Sequence, residues 1–458
     1  MNIVQFTSLI NILPCLYPTI KILQKKELSI FDFLILTSSL YFAIIPFYNP
    51  NTINYNNENI VSLFYFYTLY IYTLLIYTIY WNHNFSNKKT IINITKYLKY
   101  NYTIKINQKG YIIISICIII LFIYYLPHST TIIQLNNTSQ LSYFENSLLM
   151  ILTQVNSFIG FIILIDINHM IKTKATKPQI ILFFAIYLIL SAFLPRRYLI
   201  LKIIEFFIIF YSINRKYFNK RNVVVFSSII SFILFIYFPF YNVFRHNGID
   251  YNTSNPIASL TNIVNYGKDN YKYDIKKARV STENRACGVY NAIYYLINNK
   301  PSPQYGKLTM SAIDVAIPKV IHPNKGNGTE VILEKMTNRN KDIADSFFLL
   351  SYGEFHIIGG VYTFILFFIF IKLYEKYALF FTKTMSSKII PLLILNSMFS
   401  FCWNIEGKVE TCISWFFSSF IIIVVFLILE KYKIIYFINR HMIKRLLMYK
   451  KYHSIDNL

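Results

Sequence analysis

Long apolar runs recur along this chain, and they decide what it can fold into. The clearest are Ile60–Trp81, Tyr111–Leu126, Val223–Tyr241, Phe347–Ile371 and Ile413–Glu430. A run of about 16 to 25 residues, wound as an α-helix, is long enough to cross the ~30 Å hydrocarbon core of a bilayer. A transmembrane β-barrel would show shorter segments of alternating polarity. The runs therefore predict an all-α polytopic membrane protein.

Composition agrees with a membrane protein. Only 14% of the residues are charged, whereas a soluble domain carries about a quarter. Basic residues dominate, and the formal net charge is +24. In a membrane protein such an excess first reflects the retention of Lys and Arg on the cytoplasmic side, so nucleic acid is not a predicted partner.

The positions of Lys and Arg predict how the chain threads through the membrane. Of the 45 basic residues, 26 lie in every second connection between apolar runs, which places those connections in the cytoplasm. The alternate connections Asn49–Asn59, Pro127–Gln140 and Trp403–Thr411 contain almost none and are predicted to be external. The pattern closes with about 11 helices, in a range of about 10 to 12. The first run contains Pro14 and Pro18, and it either crosses the membrane or lies along it.

The threading divides the chain into four parts. A bundle of about eight helices (1–241) is followed by a large polar loop (242–345), about three further helices (346–430) and a basic cytoplasmic tail (431–458). The loop carries 14 Lys and Arg against nine Asp and Glu. Long loops are translocated despite their charge, so this loop is predicted to be external.

Two helical patterns predict that the loop is partly folded. Arg285–Asn299 is typical of an amphipathic helix, with an apolar side formed by Val289, Ile293, Tyr294 and Leu296. A second helical run follows and is broken at Pro318, because proline cannot continue a helix. A loop with apolar faces packs against another apolar surface, and we expect that surface to be the outer mouth of the helix bundle.

Several arginines are predicted to lie at the outer interface, and they are Arg196, Arg197, Arg245, Arg279 and Arg285. A guanidinium matches phosphate oxygens with paired donors, so these residues are candidates to bind an anionic headgroup. Each also has a structural alternative. Arg196 and Arg197 can snorkel to lipid headgroups, Arg245 can anchor the chain at the interface, and Arg279 or Arg285 can pair with Glu283.

The segment "AIPKVIHPNKG" (Ala316–Gly326) is rigid and basic. Its two prolines stiffen the backbone and set Lys319, His322 and Lys325 in one short external turn. Lysines bind phosphate as point charges. His322 can exchange a proton near neutral pH, or it can be an ordinary polar residue of the loop.

The stretch "SYGEFHIIGG" (Ser351–Gly360) places Glu354 inside the outer half of an apolar run. An ionisable residue in hydrocarbon is costly, so it usually faces a cavity and has a function. A carboxylate at that depth needs a partner, and the arginines above are candidates. Gly359 and Gly360 would let a neighbouring helix approach closely.

These stretches resemble the Wzy-type O-antigen polymerases, also called oligosaccharide repeat-unit polymerases. "AIPKVIHPNKG" is similar to the family's "IPR-x-x-WP-x-KP", with Lys319 where Arg is common, His322 where Trp is common and Gly326 where Pro is common. "QYGK" (Gln304–Lys307) resembles the "YG" upstream of that segment. "SYGEFHIIGG" resembles "GE-x-Y-x-x-FG-x-x-G", with Glu354 on the Glu. The layout of helices and one large late loop is also similar.

The resemblance implies a membrane glycosyltransferase of surface polysaccharide and lipopolysaccharide biosynthesis. It would join undecaprenyl-diphosphate-linked repeat units at the periplasmic face of the bacterial inner membrane, with no metal or other cofactor. Glu354, Arg285 and His322 would be catalytic. The residues that bind the diphosphate would be Arg196, Arg197, Arg245, Arg279, Lys319 and Lys325. Expected partners are the lipid-linked glycans, membrane lipids and a chain-length regulator protein.

Three alternatives stay open from the sequence. An O-antigen ligase would use the same lipid-linked donor with lipid A core as its acceptor. A flippase or other transporter of lipid-linked oligosaccharides would carry its charges along a central cavity, whereas this chain concentrates charge in one loop. A structural or sensory membrane protein is the third alternative.

Overall fold

The structure is a computed structural model that describes residues 3–48, 57–85, 90–100, 103–106, 116, 154–165, 167–168, 196–215, 221, 224, 228, 288–317, 322, 324–326, 328–337, 346–384, 390–403, 407–431 and 435–438. Nearly all of these residues are helical, which confirms the predicted helical class. Two short strands, which the sequence analysis did not predict, form one ladder. The chain divides into two compact units, which are described separately.

Three stretches of the described residues are long and apolar enough to cross a membrane, namely Val4–Leu23, Val61–Phe85 and Phe347–Thr384. A fourth crossing results if the bent pair Val409–Phe417 and Ile422–Ile428 is a single span. The protein is therefore a helical membrane protein. The predicted total of about 11 helices stays a prediction, because several of the runs lie largely outside the described residues.

The first unit comprises Met1–Lys88, Asn219–Lys376 and Ser397–Phe420. Helix α1 (Ile3–Leu23) packs against α4 (Asn57–Phe85). In the middle of α1 the Thr68 hydroxyl donates to Asn11 at 3.1 Å, and closer to its C-terminus Asn82 donates to the Tyr17 hydroxyl at 3.2 Å. This packing along a candidate span favours a first run that crosses the membrane over one that lies flat on it.

Between α1 and α4 the chain forms three consecutive helical segments. They are α2 (Ile30–Ser39), a π-helical turn (Leu40–Ile44) and α3 (Ile45–Tyr48). Ser29 caps α2 in a capping box with Asp32. The Phe42 carbonyl has no α-helical donor, because the residue four positions later is Pro46, which lacks a backbone N–H. That carbonyl accepts a hydrogen bond from the hydroxyl of Tyr290, which lies in the loop.

Helix α4 runs between two ends of the first unit, which are called here the lysine end and the loop end. At the lysine end, Lys21 forms a buried ion pair with Asp32 at 2.6 Å, and Lys372 lies 4.1 Å from the centre of the Trp81 ring. At the loop end, the ring of Tyr290 lies 4.6 Å from that of Tyr67. Tyr67 and Trp81 are 14 positions apart on one helix, so the two ends are separated by about 21 Å.

Three helices of the predicted loop are described: α8 (Gly288–Asn299), α9 (Lys307–Ala316) and α10 (Thr329–Thr337). Both predicted helical patterns are confirmed. Val289, Ile293 and Leu296 are buried on α8 as expected, but Tyr290 is buried where Tyr294 was predicted. Helix α9 ends at Ala316, two residues before the proline that was expected to break it.

The apolar run Phe347–Ile371 is a hairpin, although the sequence predicted one helix. Helix α11 (Phe347–Phe355) leads through a 3-10 turn (His356–Ile358) into α12 (Gly359–Thr384). The Phe347 and Phe367 rings stack with centres 5.0 Å apart, whereas 20 residues of straight helix would separate them by about 30 Å. Helix α11 therefore folds back along α12, so within the stretch Phe347–Thr384 it is α12, with 26 residues, that is long enough to cross a membrane. This corrects the single-helix prediction.

Gly359 and Gly360, which were predicted to let a neighbouring helix approach closely, both allow close backbone packing. A side chain on Gly359 would collide with the Ser351 carbonyl inside the hairpin. One on Gly360 would collide with the Phe66 carbonyl of α4. Small residues let backbones pack this tightly in membrane proteins. The unit also contains the end of α13 (Ile390–Trp403) and the start of α14 (Val409–Lys431).

The second unit comprises Lys89–Phe218, Tyr377–Asn396 and Ile421–Leu458. Helix α5 (Ile94–Tyr100) packs against α7 (Arg196–Asn214), and α6 (Gln154–Ile165) brings Phe158 into edge contact with Phe426 at 4.6 Å. Strand β1 (Thr103–Ile106) pairs antiparallel with β2 (Ile435–Ile438), with Thr103 opposite Ile438. The connection after Trp81 and the basic tail therefore meet in one ladder.

Candidate functional site

Helix α9 begins without a capping side chain of its own. Its N-cap is Gly306, whose φ of 94° lies in the left-handed region that glycine tolerates. The preceding Tyr305 also has a positive φ, 48°. The first N–H groups of a helix have no intrahelical acceptor, so those of α9 need one from elsewhere in the protein.

Glu354 of α11 supplies that acceptor. Its carboxylate accepts hydrogen bonds from the Gly306 N–H, from the Thr309 N–H at 2.7 Å and from the Thr309 hydroxyl at 3.0 Å. Gly306 and Thr309 are the N-cap and third residue of α9, so the carboxylate occupies the position of a capping side chain. Glu354 is fully buried, and its negative charge lies at the positive end of the helix dipole.

The "QYGK" stretch is docked onto the hairpin by further contacts. The backbone N–H groups of Gln304 and Tyr305 donate to the carbonyls of Gly353 and Glu354 at 3.1 and 3.3 Å. The Thr309 hydroxyl also lies 2.9 Å from the Tyr362 hydroxyl of α12. Two of the stretches on which the family resemblance rests therefore meet at one buried carboxylate.

Backbone strain concentrates at this junction. Within the described residues, four non-glycine residues have a positive φ, and three of them are Lys300, Tyr305 and His356. His356, with φ 51°, forms the hairpin turn, and its Nε2 lies 3.0 Å from the Pro301 carbonyl oxygen. Such conformations cost free energy and cluster at functional sites.

The "AIPKVIHPNKG" stretch folds onto the other end of α9. His322 Nε2 lies 2.7 Å from Asp314 Oδ1, and the Gly326 N–H donates to Asp314 Oδ2 at 2.8 Å. The Lys325 ammonium donates to the Val315 carbonyl, where the helix dipole is negative. Helix α9 is thus held at both ends by the stretches on which the resemblance rests.

Asp314 and His322 form a pair with the features of an acid–base site. The carboxylate fixes one ring nitrogen of the histidine, which leaves Nδ1 as the nitrogen without a bond to Asp314. The His322 side chain is 43% exposed, so a substrate can reach it. A carboxylate that orients an imidazole and stabilises its protonated form is the arrangement used in many general bases.

Helix α10 is capped in the same way as α9 by a second glutamate. Glu410 of α14 accepts from the Thr329 N–H at 2.9 Å and from its hydroxyl at 2.6 Å. Beside this contact the Lys408 ammonium lies 2.6 Å from the Glu330 carboxylate, with both side chains 36% exposed. An apolar helix thus supplies a carboxylate to each of the two short loop helices.

The remaining predicted residues are placed only in part. Arg196 and Arg197 begin α7 in the second unit, and only their backbone is described. The other four predicted residues lie outside the described residues, and they are Arg245, Arg279, Arg285 and Lys319. Within the part of the chain that the structure describes, Glu354 binds backbone N–H groups and the Thr309 hydroxyl. The side chains of the candidate arginines lie outside that part, so an arginine partner of Glu354 stays a prediction.

Sequence reasoning missed Asp314, Thr309 and Glu410. The sequence contains one signal for the contact between Thr309 and Glu354. A helix that begins at "YGK" has no Ser, Thr, Asp or Asn at its N-cap, so its first N–H groups need an acceptor from elsewhere in the protein. Asp314 and His322 are eight residues apart in the sequence, and no local spacing rule joins them. Comparisons with protein-family models, curated proteins and solved structures find no match to this chain.

Proposed function

We propose that this protein is a membrane glycosyltransferase that polymerises lipid-diphosphate-linked oligosaccharide repeat units, as the Wzy-type polymerases do. One observation carries the proposal. Three stretches that are similar to motifs of that family, separated along the chain, are held together by α9. Helix α9 has "QYGK" and Glu354 at its start and "AIPKVIHPNKG" at its end.

In the proposed reaction, His322 is the general base. An acceptor sugar hydroxyl attacks the anomeric carbon of the donor glycan, and the bond from that carbon to the diphosphate oxygen breaks. The lipid diphosphate leaves with the bonding electron pair, and the hydroxyl proton passes to His322 Nδ1. Asp314 orients the imidazole and stabilises the imidazolium that forms. No other reactant is needed, because the donor arrives activated.

Glu354 has a positioning role in this proposal, in place of the catalytic role predicted from sequence. Its carboxylate already accepts three hydrogen bonds and is fully buried, so it has no access to a substrate hydroxyl. It fixes the start of α9, and through α9 it fixes Asp314. Lys325 uses one of its three donors on the Val315 carbonyl, which leaves two for a diphosphate.

The leaving diphosphate needs cationic stabilisation as its charge develops. In the proposal this comes from Arg245, Arg279, Arg285 and Lys319 of the loop, together with Lys325. Removal of one such donor typically costs about 3 kcal/mol in the transition state.

An external position of the loop is part of the proposal, and two contacts support it. Lys21 and Lys372, which lie in or next to connections assigned to the cytoplasm, are gathered at the end of the first unit about 21 Å from the loop helices. In the second unit, β1 and β2 join two connections that were both assigned to the cytoplasm.

Cysteine labelling tests that position. Asn324 and Lys376 are both exposed, one in the loop and one toward the lysine end of α12. In cells with a permeabilised outer membrane, a membrane-impermeant maleimide is expected to label Asn324→Cys and not Lys376→Cys. Labelling of Asn324→Cys only after the inner membrane is breached would refute the external loop.

The function is tested by deleting the gene in its native bacterium and separating the surface polysaccharide on a gel. The proposal predicts that the ladder disappears while a single repeat unit remains attached to lipid A core. Loss of every repeat unit would instead indicate a ligase or a flippase.

Complementation then tests the residues. We expect His322→Ala and Asp314→Asn to restore membrane insertion but not the ladder, with a rate loss of about 100-fold or more for His322→Ala. Asn324→Ala, on an exposed neighbour in the same turn, is the matched control and should restore the full ladder. A full ladder from both His322→Ala and Asp314→Asn would remove this pair from the mechanism.

A further inference from the structure

Helix α9 is apolar on two faces. Leu308, Ala312 and Ala316, each four positions apart, form its buried face. Met310 and Ile313 are exposed on the other side. A helix at the surface of a water-soluble domain keeps its outer face polar, so a second apolar face indicates a second apolar environment.

The exposed apolar side chains are concentrated where α9 meets the hairpin. Tyr305 is 74% exposed, Ile358 69% and Met310 65%, and these three belong with Ile76, Val224 and Phe420 to the most exposed large apolar side chains of the described residues. Tyr305 contacts Phe355 with ring centres 6.2 Å apart, which places it beside the hairpin turn that contains Ile358. Patches of this kind on a protein surface mark sites of interaction.

This apolar surface continues into the lipid-facing side of α12. Ile365, Ile369 and Leu373, spaced four apart, are all exposed along that helix. Once α12 crosses a bilayer, a stripe of this kind faces the acyl chains. Ile358 precedes the stripe by two turns of helix, so the patch at the hairpin lies where α12 enters the membrane.

The charges at the patch fit an anionic membrane surface. Lys300 and Lys307 are exposed beside the apolar side chains, and lysines in this position extend their ammonium groups to phosphate headgroups. Helix α10 of the same loop has a mixed exposed side, which consists of Val331 at 41% exposure and Lys335, with Glu334 half-buried between them.

We infer that α9 is an interfacial helix that inserts Met310 and Ile313, together with Tyr305 and Ile358, into the phospholipid bilayer. Lys300 and Lys307 would contact anionic headgroups at the same depth. Such a helix binds through its buried apolar area and through attraction to anionic lipid. The inference does not depend on the proposed reaction, and it places the junction of α9 with the hairpin at headgroup level.

Photocrosslinking in the full-length protein tests the inference. Met310 is replaced by p-benzoylphenylalanine, cell membranes are irradiated, and the adducts are identified by mass. Val331 of α10, also exposed, is replaced in a matched control. We expect phospholipid adducts at position 310 in several-fold excess over position 331. A protein adduct at position 310, or equal phospholipid yields at the two positions, would overturn the inference.

A second variant tests the basic flank. In liposomes of phosphatidylethanolamine and phosphatidylglycerol, Lys307→Glu is expected to lower the share of phosphatidylglycerol among the adducts at position 310. Lys335→Glu on α10 is the control and should leave that share unchanged. A share that does not respond to Lys307→Glu would refute the headgroup contact, even if the apolar insertion is found. Neither crosslinking result depends on whether the variants still polymerise glycan chains.

Discussion

The two loop helices α9 and α10 are capped by the same device in different surroundings. Glu354 holds α9 from a fully buried position and accepts three hydrogen bonds. Glu410 holds α10 from a half-buried position and accepts two. Beside Glu410 lies a partly exposed ion pair, whereas the described contacts of Glu354 are hydrogen bonds from backbone N–H groups and a hydroxyl.

The difference in burial and hydrogen bonding between Glu354 and Glu410 shows how a carboxylate can be stabilised in an apolar core. A buried charge is costly unless it is paired or hydrogen-bonded, and at Glu354 the donors of an uncapped helix take that role. The carboxylate and the helix end depend on each other, since either alone would be buried and unsatisfied. Glu410 is half-buried, so water can replace some of the hydrogen bonds that its mutation removes. Mutation of Glu410 to Ala should therefore cost less stability than the same mutation of Glu354.

The largest effect is expected for Glu354→Ala. It leaves the amides of Gly306 and Thr309 without acceptors, and the loss should destabilise α9 by about 3 kcal/mol. Hydrogen exchange of the α9 amides should accelerate by about 100-fold, since each 1.4 kcal/mol is a factor of ten. Thr309→Val, which removes one hydroxyl and keeps the amide, is the matched control with a smaller effect of about 1 kcal/mol.

The same variant separates the two roles of Glu354. If Glu354 is the general base, Glu354→Ala abolishes polymerisation while exchange in α9 stays at the wild-type rate. If Glu354 instead caps α9, Glu354→Ala both abolishes polymerisation and accelerates hydrogen exchange in α9. Unchanged exchange would therefore contradict the capping role.

A smaller effect is expected for Glu410→Ala. It removes the acceptor of the Thr329 amide and hydroxyl, and the loss of such a cap typically costs about 1 kcal/mol. Exchange in α10 should rise by about five- to tenfold while α9 is unaffected. Glu334→Ala, on the same helix and away from the cap, is the control. An effect as large as that of Glu354→Ala would show that burial does not set the difference between the two helices.

The smallest effect is expected for the pair Lys408 and Glu330. Both side chains are 36% exposed, and exposed ion pairs contribute about 0.5 kcal/mol or less. A double-mutant cycle with Lys408→Ala and Glu330→Ala, scored by exchange in α10, should give a coupling of that size. A coupling larger than the effect of Glu410→Ala would mean that this pair, and not the cap, holds α10.

The sequence predicted what depends on local pattern. Periodicity located the buried face of α8 at Val289, Ile293 and Leu296, and the proline rule placed the end of α9. The close approach at Gly360 followed from the size of glycine alone. The need of Glu354 for bonding partners was also visible, because a carboxylate in an apolar run is costly without them.

What the sequence did not predict depends on contacts between distant segments. The run Phe347–Ile371 contains no proline, and Glu354, His356 and the two adjacent glycines did not by themselves reveal the hairpin. The hairpin is fixed by the stacking of Phe347 on Phe367 and by His356 against Pro301. The capping contacts of Glu354 were missed for a related reason. Backbone N–H groups carry no sequence signal, yet they are what this carboxylate binds.

Chain growth by the purified protein tests the central claim most directly. The protein is placed in lipid nanodiscs with lipid-diphosphate-linked repeat units extracted from the deletion strain. The account predicts longer lipid-linked glycans and release of the lipid diphosphate in equal amount to the bonds formed, with both lost in His322→Ala. If the wild-type protein forms no longer glycan but transfers repeat units to added lipid A core, the proposed polymerase function is wrong.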